Sequence, residues 1–540
     1  MDGGKRDWKR RTGALPSPSS SSSVFAPPDS ITTGSVTSAS IKLSGPVPSR
    51  WRRDQRRRRR LTLRGRATLA ALAVGALVGL TSGIWLASSV GARSLERASL
   101  PGVAAPPPEG GEIPWAAAPP EAPEASPPVA STTSPGVLLG LSGRLPVSRA
   151  ALALPAARSG GSPDGPERLF EVVDGEGNGG PLRIEYSLDA ELTRHVFRVL
   201  EQGRVALGHV IVLDPATGRV LAYASTDTQR FPATRTYPAA SLVKVITAAA
   251  ALGADPYAAR LPCRYSGSPY RLTPSRIDPP RSGNLVSLRH ALATSNNQCF
   301  AQLAVHSLGA ERMLDAISRF GWTHEPAPAH AAGTVDDPEG DRFGVGKLGC
   351  GLAGCRITPL HAAQLAGALA FGELVEPRWI DRIVDTSGQE LALPAAAAPR
   401  QVLSPELAGE LRGMLVDTTT RGTARRAFRT GGGRPLLGPV QVAGKTGSLS
   451  GTDPKGRYEW FIGVAPAEAP RIAVAVVVVQ RARWWRNASQ VASEVLRGVF
   501  CDRGVCRAET AERLITAPAT ATQAVLVHPA ADPPGPSLLD

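Results

Sequence analysis

Regular spacing of apolar residues begins near Leu182 and continues to about Cys506. Residues 182–202 carry the pattern of a short strand followed by a helix. Two apolar runs, 210–213 and 220–224, flank the turn-forming segment 215–218, an arrangement typical of a β-hairpin. Farther along, a near-continuous apolar run at 472–480 is expected for a central strand covered on both faces.

The middle of this region is dominated by helical patterns. The predicted helix at 241–252 is alanine-rich and ends at Gly253, which indicates a buried helix. Strands at both ends with helices between them predict an α/β domain, in which one mainly antiparallel sheet is flanked by helices and closed by the two chain halves. The other predicted helices are 287–308 and 359–370, and the other predicted strands are 440–443 and 458–464.

The charge of the chain is concentrated at its N-terminus. The 540 residues carry a net charge of +15, yet residues 1–66 alone hold 16 Lys/Arg and four Asp/Glu. The uncharged stretch 67–92 follows directly and would span about 39 Å as a helix, more than the roughly 30 Å of a bilayer core. The arginines therefore indicate a positive-inside flank rather than a nucleic-acid surface.

We expect five segments from this pattern. They are a disordered basic cytoplasmic segment 1–66, a single transmembrane anchor 67–92, a Pro/Ala-rich linker 93–180, a folded domain 181–507 and a loose C-terminal tail 508–540. The anchor would sit in the inner (cytoplasmic) membrane, with the domain on the periplasmic side. The alternative is a cleaved signal peptide ending near Ala92, but the segment ahead of the apolar run is far longer than a usual n-region.

Six cysteines lie after the apolar stretch, and an even number on the exported side is compatible with disulfides. Six cysteines permit 15 pairings. Cys350–Cys355 and Cys501–Cys506 are the simplest candidates because each closes a short loop. Zinc is not expected, since neither pair has CxxC spacing.

Three short motifs occur in order along the domain. They are Ser241-Leu242-Val243-Lys244, Ser295-Asn296-Asn297 and Lys445-Thr446-Gly447. Each is common alone, but the first opens an apolar helix, the second lies in a helix-flanked segment and the third lies on a strand. That combination is typical of penicillin-recognising serine enzymes.

Elementary chemistry supports the first motif as a nucleophile and its base. Residues i and i+3 share a helix face, so Lys244 can reach the Ser241 hydroxyl. A lysine is a base only when neutral, which requires its pKa to fall from about 10.4 to near 7–8. Burial beside apolar neighbours and a second cation, Lys445, would both lower that pKa.

Residues 182–505 resemble the transpeptidase domain of penicillin-binding proteins. The segment 208–218 is similar to the opening hairpin of that family, and 358–360 to its TPL segment. The stretch 443–448, followed by 460–463, resembles the active-site strand and its neighbour. Ser448 stands where a threonine is commoner, and the linker replaces the large pedestal domain of some members.

The resemblance implies a role for each motif residue. Ser241 would form the acyl-enzyme, Lys244 would activate it, and Ser295 would relay a proton to the departing amine. Asn297 would bind the substrate backbone. Lys445 would complete the electrostatics of the site. Thr446 and Ser448 would hold the terminal carboxylate of the substrate, and Gly447 would belong to the same substrate-binding strand. The oxyanion hole would use the backbone N–H groups of Ser241 and Ser448.

The implied activity is a peptidoglycan D,D-transpeptidase with the DD-peptidase/β-lactamase-like fold. Its partners would be peptidoglycan stem peptides, penicillin and other β-lactams, the inner membrane and other cell-wall synthesis proteins, with no nucleic acid. No metal or organic cofactor is expected. The alternatives are a D,D-carboxypeptidase of the same fold, a β-lactamase and a β-lactam sensor; the absence of any Leu-Asn pair disfavours a class A β-lactamase.

Overall fold

The computed structural model describes residues 147–148, 167–173, 180–480, 486–515 and 522–525. The predicted cytoplasmic segment 1–66 and the predicted anchor 67–92 lie outside these ranges, as does most of the predicted linker. Within the ranges, no helix combines the length and apolarity that a bilayer crossing requires.

The helices of the described ranges follow one another from the domain's first strands to its C-terminal end. They are α1 (Ala190–Gln202), α2 (Val243–Ala254), α3 (Pro256–Arg260), α4 (Leu288–Ala293), α5 (Asn297–Leu303), α6 (Gly309–Arg319), α7 (Arg342–Cys350), α8 (Pro359–Phe371), α9 (Pro405–Thr420), α10 (Ala488–Phe500) and α11 (Glu512–Ile515).

The strands of the described ranges form two larger sheets, one three-stranded sheet (β6-β10-β9) and three short pairs. They are β1 (Val147–Ser148), β2 (Glu167–Val173), β3 (Leu182–Asp189), β4 (Gly208–Leu213), β5 (Val220–Ser225), β6 (Tyr237–Pro238), β7 (Cys263–Tyr265), β8 (Asn284–Val286), β9 (Thr334–Val335), β10 (Cys355–Ile357), β11 (Glu373–Leu374), β12 (Ile380–Val384), β13 (Glu390–Leu391), β14 (Arg400–Gln401), β15 (Ala443–Thr452), β16 (Lys455–Ala465), β17 (Ile472–Gln480), β18 (Cys501–Asp502), β19 (Val505–Cys506) and β20 (Thr522–Val525).

The main sheet has the order β1-β5-β4-β17-β16-β15, and all its pairs except β1–β5 are antiparallel. The early hairpin β4–β5 therefore lies beside the late strands β15–β17, so strands from both ends of the domain form a single sheet. This confirms the predicted mixed α/β architecture with a mainly antiparallel sheet. A second sheet has the order β13-β12-β3-β2-β20.

The core lies on both faces of β17, the strand at the centre of the main sheet. All of its residues except Gln480 are buried, and it packs against α8 and α10. An apolar strand of Val, Ile and Ala can be central only if helices cover both faces. Helix α9 packs beside α8 and also contacts both β15 and α2. It therefore connects α2, the helix that follows Ser241, with β15, the last strand of the main sheet in the described ranges.

The predicted helix 287–308 is wrong in its middle. The structure divides it into α4 and α5, because Ser295 adopts a left-handed backbone with φ 57° that a right-handed helix cannot contain. Asn296 then caps α5, since its side chain accepts a hydrogen bond from the Cys299 N–H. The break places the second motif in a turn between two helices.

The predicted strand 440–443 is also displaced. The observed strand β15 begins only at Ala443 and extends to Thr452. Its glycines and serines have low strand propensity, so the sequence pattern missed most of it. The pairing of ten successive residues with β16 determines the strand instead.

The predicted boundaries of the linker and the tail need correction. Strand β2 falls inside the predicted linker and pairs with β3, and α11 falls inside the predicted tail with Leu514 fully buried. The buried guanidinium of Arg168 joins these segments, because it donates to the backbone oxygens of Ser187 and Leu514. The packed domain is therefore longer at both ends than its apolar spacing indicated.

One of the two expected disulfides is wrong. Cys501 and Cys506 are joined, but Cys350 and Cys355 are both buried free thiols. Cys350 ends α7 and interacts electrostatically with Lys244, whereas Cys355 begins β10 and interacts with Asp336. Cys263 pairs instead with Cys299, 36 residues away.

We expect the buried face of α8 to be critical for stability. Leu369 is fully buried on this helix, so Leu369→Ala should lower the free energy of unfolding by about 2–5 kcal/mol. The matched change Leu285→Ala, at a side chain that is 55% exposed, should alter it by less than about 0.5 kcal/mol. Urea unfolding followed by circular dichroism measures both values, and equal losses would contradict this account of the core.

Candidate active site

The Ser241 hydroxyl is presented by a tight turn ahead of a buried helix. Ser241 lies in a 3₁₀ turn, Ala240–Leu242, that leads directly into α2, rather than in the α-helix itself as the sequence predicted. Ala240 has φ 51°, a left-handed conformation that alanine rarely adopts. Gly351 lies against this turn, and a Cβ atom at that position would overlap the Ala240 carbonyl oxygen. The loop after α7 thus closely braces the turn that holds the nucleophile.

Lys244 lies one helical turn beyond Ser241 and is fully buried. Its Nζ donates to Ser241 Oγ at 2.8 Å and to Asn297 Oδ1 at 2.6 Å. It also contacts the carbonyl oxygen and the Oγ of Ser295, at 3.2 and 3.1 Å. One amine therefore links the first motif to both polar residues of the second.

Burial lowers the pKa of both lysines of the site. The pKa of Lys244 falls to about 8, because desolvation penalises its charged form. The pKa of Lys445 is also lowered, first by desolvation and then by the positive charge of Lys244. The two amines repel each other when both are charged, so each disfavours the charged form of the other, as the sequence predicted for Lys244. A neutral Lys244 has a free electron pair that can accept the proton of Ser241.

Ser295 occupies the point where the two lysines meet. Its Oγ lies 3.1 Å from Lys244 Nζ and 3.0 Å from Lys445 Nζ. The left-handed backbone at Ser295 directs this hydroxyl into the site, and such strained residues are frequent at catalytic centres. A hydroxyl in contact with two amines can accept a proton from one and donate its own to another group.

Asn297 is fixed by a segment of chain, 263–270, that we call the latch. The Asn297 backbone N–H donates to Pro269 O at 2.9 Å, and its Nδ2 donates to Tyr270 O at 2.8 Å. The next residue, Gln298, donates to the carbonyl oxygens of Ser266 and Ser268. The Cys263–Cys299 disulfide joins the same two segments covalently.

The third motif lies on β15, the last strand of the main sheet as described. Lys445 is buried beneath the site, while Thr446 is partly exposed and Ser448 is exposed. Gly447 passes close to the nucleophile turn, since a Cβ there would lie 3.2 Å from Ala239 O. Thr446 Oγ1 is 2.6 Å from the hydroxyl of Thr423, a residue that no motif indicated.

These elements surround one cleft of about 380 Å³. Ser241, Ser295, Asn297 and the strand residues 446–448 line it, and the two lysines lie beneath its floor. All eight residues predicted from the motifs are thus brought together, although their catalytic roles stay predictions. The cleft is also lined by Tyr270, Leu352, Thr423, Arg457, Glu459, Trp460, Asn487, Ala488 and Ser489, which sequence reasoning did not assign.

The arrangement contains the parts of a covalent acyl-transfer site. It combines a serine hydroxyl, a buried base within hydrogen-bond distance and a second hydroxyl that can pass on a proton. In the part of the chain that the structure describes, His, Cys, Asp and Glu side chains form no group of three suited to a metal ion.

Comparison with known proteins agrees with this arrangement. Residues 208–500 match the family model described as the penicillin-binding protein transpeptidase domain. The chain is 29% identical over 311 residues to peptidoglycan D,D-transpeptidase PbpA of Mycobacterium tuberculosis, and 30% identical over 317 residues to PbpA of Mycolicibacterium smegmatis. Each match covers 50% of this chain and 61% of the relative, so the chain spans less than two thirds of these relatives' length.

A solved structure gives a similar result. The crystal structure of PBPA from Mycobacterium tuberculosis superposes with a TM-score of 0.50 at 25% identity, covering 58% of this chain and 81% of the other.

The lowered pKa of Lys244 predicts a pH dependence for acylation. Because only neutral Lys244 accepts the Ser241 proton, the rate should rise about tenfold per pH unit up to pH about 8 and then level off. Stopped-flow measurement of labelled-penicillin acylation across this range tests the prediction. Lys455→Ala, at an exposed lysine, should leave the profile unchanged. A flat profile would contradict the role of Lys244 as base.

The latch predicts that a disulfide supports the site. In Cys263→Ser/Cys299→Ser the contacts that hold Asn297 loosen, so the acylation rate constant should fall about tenfold. The control Cys501→Ser/Cys506→Ser removes the disulfide outside the cleft and should acylate normally. Melting temperatures identify any variant that fails to fold. A folded latch variant with the wild-type rate would show that the disulfide does not position Asn297.

Proposed function

Since the chain belongs to the penicillin-binding protein transpeptidase family, we propose that it is a peptidoglycan D,D-transpeptidase that cross-links stem peptides through an acyl-enzyme on Ser241. The observation that carries the proposal is the 2.8 Å contact between Ser241 Oγ and the buried amine of Lys244. The names of the PbpA relatives support the same activity.

The first half of the reaction forms the acyl-enzyme. Ser241 Oγ attacks the carbonyl carbon of the D-Ala–D-Ala peptide bond while its proton passes to neutral Lys244. The C–N bond then breaks, and the departing amine of the terminal D-Ala takes a proton through the Ser295 hydroxyl. Ser295 suits this relay because its Oγ contacts both lysines. Lys445, buried and in contact with Ser295, adds positive potential where negative charge develops.

The second half transfers the acyl group to an amine. The amine of a neighbouring stem peptide attacks the ester carbon, loses its proton to the site and releases Ser241. Two ordered acyl-transfer steps of this kind give ping-pong kinetics. If water attacks instead, the same acyl-enzyme yields the D,D-carboxypeptidase reaction, which is the alternative activity.

The strand β15 provides a surface for the donor peptide. As the last strand of the main sheet in the described ranges, it has a free edge to which an extended peptide can add through main-chain hydrogen bonds. The hydroxyls of Thr446 and Ser448 lie at the cleft and suit a terminal carboxylate. Asn297 and Gly447 complete the binding site, since Asn297 offers an amide and Gly447 permits close backbone approach.

The cellular setting is part of the proposal. The basic segment 1–66 and the apolar stretch 67–92 support a single-pass anchor in the inner membrane with the domain on the periplasmic side. The partners in that setting are stem peptides, β-lactams that imitate their D-Ala–D-Ala end, and other cell-wall synthesis proteins. No metal or organic cofactor takes part in the steps above.

Covalent labelling tests the nucleophile. Ser241→Ala should lose labelling by a fluorescent penicillin, because no other group supplies the acyl ester. Ser387→Ala, at an exposed serine in the turn between β12 and β13, should label like wild type. A labelled Ser241→Ala protein would overturn the assignment.

Product analysis then separates the activities. With a pentapeptide donor and an amine acceptor, a transpeptidase gives a cross-linked dimer and free D-Ala. A carboxypeptidase gives tetrapeptide and D-Ala only, and a β-lactamase would rapidly hydrolyse a chromogenic cephalosporin.

A further inference from the structure

A second cavity of about 420 Å³ lies away from the catalytic cleft. Its walls come from α1, α10, the β18–β19 hairpin and α11, and its lining residues are different from those of the cleft. Helix α10 reaches both places, since Ala488 and Ser489 line the cleft, whereas Glu494, Arg497 and Gly498 line this cavity.

The close approach of two helices forms the base of the cavity. A Cβ atom at Gly498 would overlap the ring of His195, so glycine allows α10 to pass directly over α1. His195 Nε2 lies 2.9 Å from the carbonyl oxygen of Glu494, and this nitrogen therefore carries the proton and donates it. Burial lowers the pKa of His195, which keeps the ring neutral near pH 7.

Arginines from four different elements line the cavity. They are Arg198 on α1, Arg497 on α10, Arg503 in the β18–β19 hairpin and Arg513 on α11. Two glutamates also line it, and each already pairs with one arginine: Glu191 with Arg513 at 3.2 Å, and Glu494 with Arg497 at 3.4 Å.

Four arginines and two glutamates line the cavity, so its walls carry an excess charge of +2. Within the described ranges, neither Arg198 nor Arg503 has an ion pair. The side chains of Arg198 and Arg503 are exposed, so solutes in the solvent can reach them. Like charges that converge on one cavity from separate elements raise its positive potential, which attracts an anion.

The local backbone holds Arg503 at this place. Arg503 and Gly504 form the two-residue turn between β18 and β19, with φ 45° and 85°. Such turns favour Asn-Gly, so an arginine at the first turn position is unusual. The Cys501–Cys506 disulfide closes the hairpin around this turn. The turn and the disulfide therefore fix the backbone from which the Arg503 side chain reaches the cavity wall.

We propose that this cavity binds a phosphate-bearing ligand, with Arg198 and Arg503 as its main contacts. Arginine forks match phosphate oxygens with paired hydrogen bonds. Near pH 7 a phosphodiester carries one negative charge, a phosphomonoester about two and inorganic pyrophosphate about three, so ligands of this class bracket the excess charge of the cavity. The same chemistry occurs in soluble phosphates and in the headgroups of anionic lipids.

Calorimetric titration of the full chain tests the proposal. The two probes are inorganic pyrophosphate and glycerophosphoglycerol, the headgroup of an anionic phospholipid, at about 150 mM salt to suppress weak surface binding. We expect saturable binding of at least one probe, weakened about tenfold or more in Arg198→Gln/Arg503→Gln. Tighter pyrophosphate binding identifies a soluble or terminal phosphate as the ligand, and tighter headgroup binding identifies a lipid.

The matched control is Arg204→Gln/Arg434→Gln. Both arginines are exposed and lie outside the cavity, and Arg204 has φ 53°, similar to that of Arg503. The control retains the basic segment 1–66, so it also accounts for anions that this segment attracts. Penicillin labelling should be equal in all three proteins, which shows that the fold is intact. Absence of saturable binding in wild type, or an equal loss in the control, would overturn the proposal.

Discussion

The contact of one hydroxyl with two buried amines is the constraint on which the rest of the site depends. Ser295 Oγ lies about equally far from Lys244 and Lys445, and neither lysine is accessible to solvent. Burying two ammonium groups side by side is unfavourable, so the fold must hold them there against repulsion and desolvation. The same cost lowers their pKa values and makes proton transfer feasible near neutral pH.

Rigid supports on three sides maintain this arrangement. The main sheet carries Lys445 on β15, the core helix α2 carries Lys244, and the break between α4 and α5 carries Ser295. Secondary contacts then restrict each support, as the loop at Gly351 does for the nucleophile turn and the latch does for Asn297. A site with several strained or buried groups needs such external bracing, because each group alone would relax.

The sequence predicted the parts of the fold that follow local patterns, and missed those that depend on distant contacts. The hairpin β4–β5 and the strand β17 were predicted correctly, because their runs of apolar residues are buried in the structure. The motif residues were found from their order. Thr423 and Tyr270 gave no local signal, since their places in the cleft arise from tertiary contacts. The Cys263–Cys299 disulfide was missed because the sequence analysis paired cysteines that are close along the chain. In the folded protein the distance between the two Cα atoms decides which cysteines can pair.

Among the residues that the structure describes, no strand pairs with the outer edge of β15, which has a further consequence, for solubility. An unpaired strand edge is a template for any extended chain, including another copy of the same protein. From Thr446 to Thr452, β15 consists of glycine, serine and threonine except for Leu449, and such a strand has little apolar surface with which to pair with itself. Such an edge can receive a peptide briefly through its backbone and release it again, without becoming a site of aggregation.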